Sequence, residues 1–132
     1  MSNDKNMRKA LIIDDSFLIR RLHKTNLGNL GFSTFEAENG QDGLDKIQEL
    51  GVDSLSLIVV DMVMPVMNGI EFMVSFNKNY PDSSVPVLVC SSKSDITLIK
   101  KLIAVGISGY ILKPVNSNMF AKKVKEIFPD IE

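Results

Sequence analysis

Leu57-Ile58-Val59-Val60-Asp61 is a run of four apolar residues, three of them β-branched, closed by a carboxylate. A strand with one wet face alternates apolar and polar residues. A run without that alternation suits a strand covered on both faces, as in a parallel sheet. Working outward, four more strand-like runs appear at Ala10–Asp14, Phe32–Glu36, Val85–Ser91 and Gly109–Leu112. An amphipathic stretch follows each of the five.

These stretches read as helices. Residues 17–30 carry Ile19, Leu22, Leu27 and Leu30, with Arg20, Arg21 and Lys24 around them; residues 41–50 carry Leu44 and Ile47. Residues 70–78 carry Ile70, Met73 and Val74, residues 95–105 carry Ile99, Leu102 and Ile103, and residues 117–128 carry Phe120, Val124 and Ile127. Spacings of three and four give one buried stripe per helix. Ser16, Asn68, Ser94 and Asn116 sit where N-caps belong, and Gly31, Gly51 and Gly106 where C-cap glycines belong. The segment from Gly51 to Ser56 reads as a loop. Five β-α units imply a doubly wound α/β sandwich with right-handed crossovers.

Composition agrees with one soluble domain. The 132 residues are 45% hydrophobic and 23% charged, with a formal net charge of −1. That balance gives no overall pull toward nucleic acid or a membrane surface. A single cysteine, Cys90, permits neither a disulfide framework nor a multi-cysteine metal site and suits a reducing compartment. No apolar run is long enough to span a bilayer, and Met1–Lys9 lacks the apolar segment of a secretory signal. The expected location is cytoplasmic.

A doubly wound sheet binds its ligand beyond the carboxyl ends of its strands. The first strand ends in Asp14 and Asp15, the third in Asp61, the fourth in Ser91 and Ser92, and the fifth just before Lys113 and Pro114. The second ends in ordinary polar residues. Alone, each has a plain explanation: Asp15 as a cap or loop acid, Lys113 as a surface lysine, Ser91 as a satisfied hydroxyl. Gathered on one edge, three carboxylates repel, and a divalent cation relieves them. Oxygen-only donors favour Mg²⁺ or Ca²⁺ over softer metals, and few carboxylates plus water and a phosphoryl oxygen is the Mg²⁺ arrangement. Asp61 can then act as a carboxylate nucleophile toward phosphorus, with Lys113 and Ser91 receiving phosphoryl oxygens.

These residues resemble the receiver domains of bacterial two-component response regulators. The segments that carry the likeness are Leu11-Ile12-Ile13-Asp14-Asp15-Ser16, Asp61-Met62-Val63-Met64-Pro65-Val66-Met67-Asn68-Gly69, Val87-Leu88-Val89-Cys90-Ser91-Ser92 and Gly109-Tyr110-Ile111-Leu112-Lys113-Pro114. The likeness spans Arg8 to Phe128. It implies one receiver domain over residues 1–132, with a core of 8–128 and no output domain. It also implies a flavodoxin-like three-layer sandwich with strand order 2-1-3-4-5. Members of this family are a standard illustration of that order, so it comes with the likeness and not from the residues themselves.

The resemblance also implies roles. Asp61 is the phosphoacceptor, Asp15 the direct carboxylate ligand of Mg²⁺ (Mn²⁺ as substitute), and Asp14 a ligand largely through water. The main-chain carbonyl of Val63 completes the metal set. Ser91 is the switch hydroxyl, Lys113 its cationic partner ahead of a cis bond to Pro114, and Tyr110 the aromatic that turns inward. Val63 and Lys93 flank the phosphoryl group and tune its lifetime; an apolar Val63 cannot orient water, so slow self-dephosphorylation is expected. Ser92 stands where the family has alanine or glycine. The phosphodonor would be a sensor histidine kinase or a histidine phosphotransfer protein, and a downstream protein would read the face formed by the fourth helix, fifth strand and fifth helix. The domain would catalyse only its own phosphorylation and dephosphorylation, as a monomer or a weak phosphorylation-dependent dimer.

Three other classes fit less well. An aspartyl phosphohydrolase of the haloacid dehalogenase type needs an acid where Val63 stands. A flavodoxin-like nucleotide binder needs a phosphate loop where Asp14 and Asp15 stand. An unphosphorylated adaptor would not require the full residue set. His23 reads as a solvated residue on the polar side of the first helix. Cys90 reads as a buried strand residue, Met62, Met64 and Met67 as loop and core packing, and Lys100, Lys101, Lys122, Lys123 and Lys125 as solvated faces.

Overall fold

The computed structural model describes residues 7–131. The order is β1 (Lys9–Ile13), α1 (Phe17–Asn29), β2 (Ser33–Ala37), α2 (Gly40–Leu50), β3 (Leu57–Asp61), α3 (Gly69–Asn79), β4 (Val87–Ser91), α4 (Ile96–Ala104), β5 (Gly109–Leu112) and α5 (Ser117–Ile127). All neighbouring strands pair in parallel, and the sheet order is β2-β1-β3-β4-β5. The fold class and order expected from the sequence are those found.

Strand alternation divides the core into two layers. Leu11, Ile13, Ile58, Val60, Val87 and Val89 face α2, α3 and α4 and meet Ile47, Phe72, Phe76 and Leu102. Ala10, Ile12, Leu57, Val59, Leu88 and Cys90 face α1 and α5 and meet Leu27, Phe120 and Val124. Every residue of β3 and β4 is buried. The continuous apolar runs follow from having helices on both faces, and each fully buried aliphatic contributes about 1.5–3 kcal/mol.

Boundaries moved by one or two residues. β1 stops at Ile13, so Asp14 begins the loop, and β4 starts at Val87 because Pro86 has no N–H for the ladder. A 3₁₀ turn, Val52–Ser54, lies in the segment read as a loop. Ser16, Asn68 and Asn116 cap their helices; α4 is capped by Asp95 rather than Ser94, and Asn39 caps α2. Asn68 and Glu71 form a reciprocal capping box, Oδ1 of one accepting from N of the other at 2.8 Å and Oε1 in return at 2.9 Å. Gly31, Gly51 and Gly106 end their helices at φ of 91°, 86° and 98°.

The helix stripes needed the larger corrections. Val74 and Ile103, read as inward, are exposed. In α1 the buried residues are Arg20, His23, Asn26 and Leu27, while Phe17 and Leu18 face outward. His23 is therefore not solvated: it is 1% exposed and stacks on Phe120 of α5, with ring centroids 5.4 Å apart. Set against β1 and α5, the first helix presents inward whatever residues its rotation dictates, and here most of those are polar.

The β3–α3 connection holds a strained residue. Val66 has φ of 70°, and Met67 N–H donates to Pro65 O at 2.7 Å across it. A β-branched residue in the left-handed region is costly, and the Val66 side chain, 78% exposed, recovers nothing by burial. Val66→Asn, which tolerates this φ, is expected to stabilise the protein by about 1 kcal/mol and raise the melting temperature by several degrees. An unchanged or lower melting temperature would show that the strain is relieved elsewhere.

Candidate functional site

Sheet topology gathers the sequence-predicted residues at one edge. Asp61 is the last residue of β3 and Ser91 the last of β4; Asp14 and Asp15 follow β1, and Lys113 follows β5. Carboxylate oxygens of Asp14, Asp15 and Asp61 lie within 4.8 Å of one another. Lys113 Nζ reaches Asp14 Oδ2 at 3.2 Å and Asp61 Oδ1 at 3.1 Å. The bond from Lys113 to Pro114 is cis, as expected.

The local chain fixes these positions. Asp14 N–H donates to Ala37 O at 3.1 Å, and Ser16 N–H donates to Asp14 Oδ1 at 2.9 Å. Lys113 N–H donates to Ser91 O at 2.8 Å, locking the β4 and β5 ends together. Gly69 brings α3 close under the site: its N–H donates to Met62 O at 2.8 Å, and a Cβ there would stand 3.0 Å from Met62 Cα and 3.1 Å from Asp61 O. A side chain there would force the backbone beneath the site to give by a few tenths of an ångström.

Electrostatics follow from burial. Asp61 is 6% exposed, and its pKa is raised, first by burial and then by the Asp14 carboxylate, with Lys113 opposing. Burial disfavours charge on Lys113, but the Asp14 and Asp61 carboxylates outweigh it and raise its pKa. The cluster is thus three acids served by one ammonium. It has excess negative charge, only oxygen donors, and one member, Asp15, exposed to solvent. Those properties fit a hard divalent cation and do not fit zinc or copper.

Ser91 is buried, and its Oγ accepts from Lys93 N–H at 3.1 Å. The Tyr110 hydroxyl donates to Lys93 O, so the backbone of Lys93 joins the Ser91 hydroxyl to the half-buried Tyr110 ring. Val63, Ser92 and the Lys93 side chain are exposed. Cys90 is buried, and burial pushes its thiol up to about 12, which leaves it inert. Met62 and Met64 are buried and Met67 packs against the same layer, as expected from the sequence.

Two residues bordering the site were not brought to it by the sequence reading. Arg20 Nη1 donates to Asp14 O at 2.7 Å, and Arg20 Nε pairs with Glu36 Oε1 at 3.0 Å. Arg20 stands beside Arg21 and Lys24 in the sequence and looks like one more surface cation. Glu36 lies in the strand whose end supplies no member of the acidic cluster.

The chain is similar to known proteins over most of its length. Residues 10–125 match the response regulator receiver domain. Chemotaxis protein CheY-3 of Vibrio cholerae serotype O1 is 31% identical over 125 residues, covering 95% of this chain and 94% of that protein. Chemotaxis protein CheY of Pseudomonas aeruginosa is 31% identical over 121 residues, covering 91% of this chain and 95% of that one. Among solved structures, chemotaxis protein CheY4 of Vibrio cholerae, crystallised at low pH, superposes with a TM-score of 0.83 at 28% identity, over 92% of this chain and 98% of that one. With acids at the ends of β1 and β3, a hydroxyl at β4 and a lysine after β5, on a sheet ordered 2-1-3-4-5, the chain belongs to the response regulator receiver domain family.

Proposed function

We propose that this domain is a phosphorylation switch that takes a phosphoryl group onto Asp61 from a phosphohistidine. The observation that carries the reading is the juxtaposition of Asp61 with Asp14, Asp15 and Lys113: a nucleophilic carboxylate beside excess negative charge and one ammonium. A cation would offset the burial and repulsion that raise the Asp61 pKa and so favour the ionised, attacking form. An Asp61 oxygen forms the new bond to phosphorus, the P–N bond to the donor imidazole breaks, and that imidazole takes up a proton. Asp15, Asp61 and the Val63 carbonyl would hold Mg²⁺ or Mn²⁺, with Asp14 acting largely through water; the ion supplies charge neutralisation for the phosphoryl oxygens. Lys113 releases Asp14 and pairs with a phosphoryl oxygen. Ser91 exchanges its bond from Lys93 for one to the phosphoryl group, and through Lys93 that exchange reaches Tyr110.

The shifted α4–β5–α5 face then binds a downstream protein, and the state that partner prefers is the one it populates. The relatives matched nearly end to end are named chemotaxis proteins, which supports a chemotaxis role over a phosphorelay. The donor would be a sensor histidine kinase or phosphotransfer protein, and the domain would turn over only its own phosphate. The switch would work in the cytoplasm, where such a donor presents its phosphohistidine. No helix among the described residues is long and apolar enough to cross a membrane.

Incubation with Mg²⁺ and acetyl phosphate is expected to add the mass of one phosphoryl group, labile to base and absent with EDTA. No gain, with that donor or with a phosphorylated kinase, would replace this reading with a phosphorylation-independent adaptor.

A further inference from the structure

Arg20 is a cation 8% exposed, and a guanidinium is withdrawn from water at a cost recovered only through good partners. It has two. Nη1 donates to the main-chain oxygen of Asp14 at 2.7 Å, and Nε donates to Glu36 Oε1 at 3.0 Å. The other polar atoms of Asp14 are held without it: N by Ala37 O at 3.1 Å, Oδ1 by Ser16 N at 2.9 Å, Oδ2 by Lys113 Nζ at 3.2 Å. The Asp14 side chain therefore does not need Arg20. The peptide that joins Asp14 to Asp15 does. Rotation of that peptide plane sets the direction in which the Asp15 side chain leaves the backbone, and Lys113 pairs with Asp14 and Asp61 instead of Asp15.

We propose that Arg20 is a positioning residue for the cation site, aiming the Asp15 carboxylate by fixing the Asp14–Asp15 peptide, with Glu36 holding Arg20. This rests on the reading of the acidic cluster as a cation site. It also gives β2 a part in that site: Glu36 lies opposite Ile12 in the β1–β2 register, one residue before Ala37, whose carbonyl holds Asp14 N–H. An arginine fork holds two partners in one plane; a lysine at this position keeps the charge and loses the geometry.

The test is Mn²⁺ binding, followed by loss of the free-ion paramagnetic resonance signal, with cation-free melting curves on the same samples. The wild type is expected to bind and Asp15→Asn to bind far more weakly. Arg20→Lys and Glu36→Gln are expected to bind about tenfold more weakly than wild type, the usual loss when a support of a ligand is removed. A variant that melts lower but binds with the wild-type constant makes Arg20 a structural clamp only and overturns the proposal. If Arg20→Lys does not fold, Glu36→Gln, an isostere at a half-exposed position, decides by the same criterion. A wild type that takes up no Mn²⁺, or an Asp15→Asn variant that binds as the wild type does, removes the cation reading itself and this inference with it.

Discussion

Asp61→Asn is expected to gain no phosphoryl group under conditions that modify the wild type, and to melt at a higher temperature at pH 7. The first effect follows from removing the attacking oxygen, since an amide is no nucleophile toward phosphorus at neutral pH. The second follows from the direction of the Asp61 shift. Its pKa is raised above the usual 3.8, with burial as the largest cause and Asp14 next, both outweighing Lys113. A raised carboxylate binds its proton more tightly folded than unfolded. Stability therefore falls as pH climbs from 3.8 through the raised value, because the ionised carboxylate weakens the fold. Replacing that charge with a neutral amide of the same shape should remove that penalty, with the gap between variant and wild type closing as pH falls toward 4. Melting curves of both proteins without cation, at pH 7 and pH 4, check this. A variant that melts lower at pH 7 would mean that the bond from Lys113 outweighs burial.

Acid should destabilise the protein through His23. Burial, and then the positive charge of Lys113, lower its pKa from 6.5 to about 4. Its Nδ1 has no hydrogen-bond partner, and its ring lies against Phe120. The unfolded chain takes up the imidazole proton below pH 6.5, and the folded chain resists until about pH 4. Stability is lost across that window as pH falls, by about 3 kcal/mol in total. Carboxylates also titrate there, so the measurement is a comparison. His23→Leu, which keeps an apolar face against Phe120 and removes the unpartnered nitrogen, should be at least as stable as wild type at pH 7. By pH 4 it should lead by about 3 kcal/mol more. Parallel curves for the two proteins from pH 7 to pH 4 would show that the ring is protonated in place, with no penalty.

Asp61 and His23 also mark how far the sequence could be read. Asp61 was legible because three independent patterns meet on it: an unbroken apolar run before it, a helix signal after it, and acids at the end of another strand. The sheet order could be stated from the resemblance, and the burial of β3 and β4 from their lack of alternation. His23 was illegible because α1 reads as a polar helix with a few leucines, and nothing local says which of its faces turns inward. Val74 and Ile103 show the converse: spacing placed them in an apolar stripe, but α3 buries Gly69, Phe72, Met73 and Phe76 and α4 buries Leu102, which leaves both exposed. Asp95 took the cap expected of Ser94: its Oδ1 accepts from Thr97 N–H at 2.8 Å, and two such capping residues side by side cannot be ranked from the sequence.

The sequence alone determined the α/β class, the sites of strands and helices to within a residue or two, and which side chains stand at the strand ends. Those features depend on periodicity and on the chemistry of single residues, which are local. The tertiary structure alone decided the rotation of α1, which buries Arg20, His23 and Asn26, and the contact that carries Glu36 through Arg20 to the backbone of Asp14. Those depend on where one element settles against another, and the energy that fixes it is spread over the apolar contacts of the whole layer.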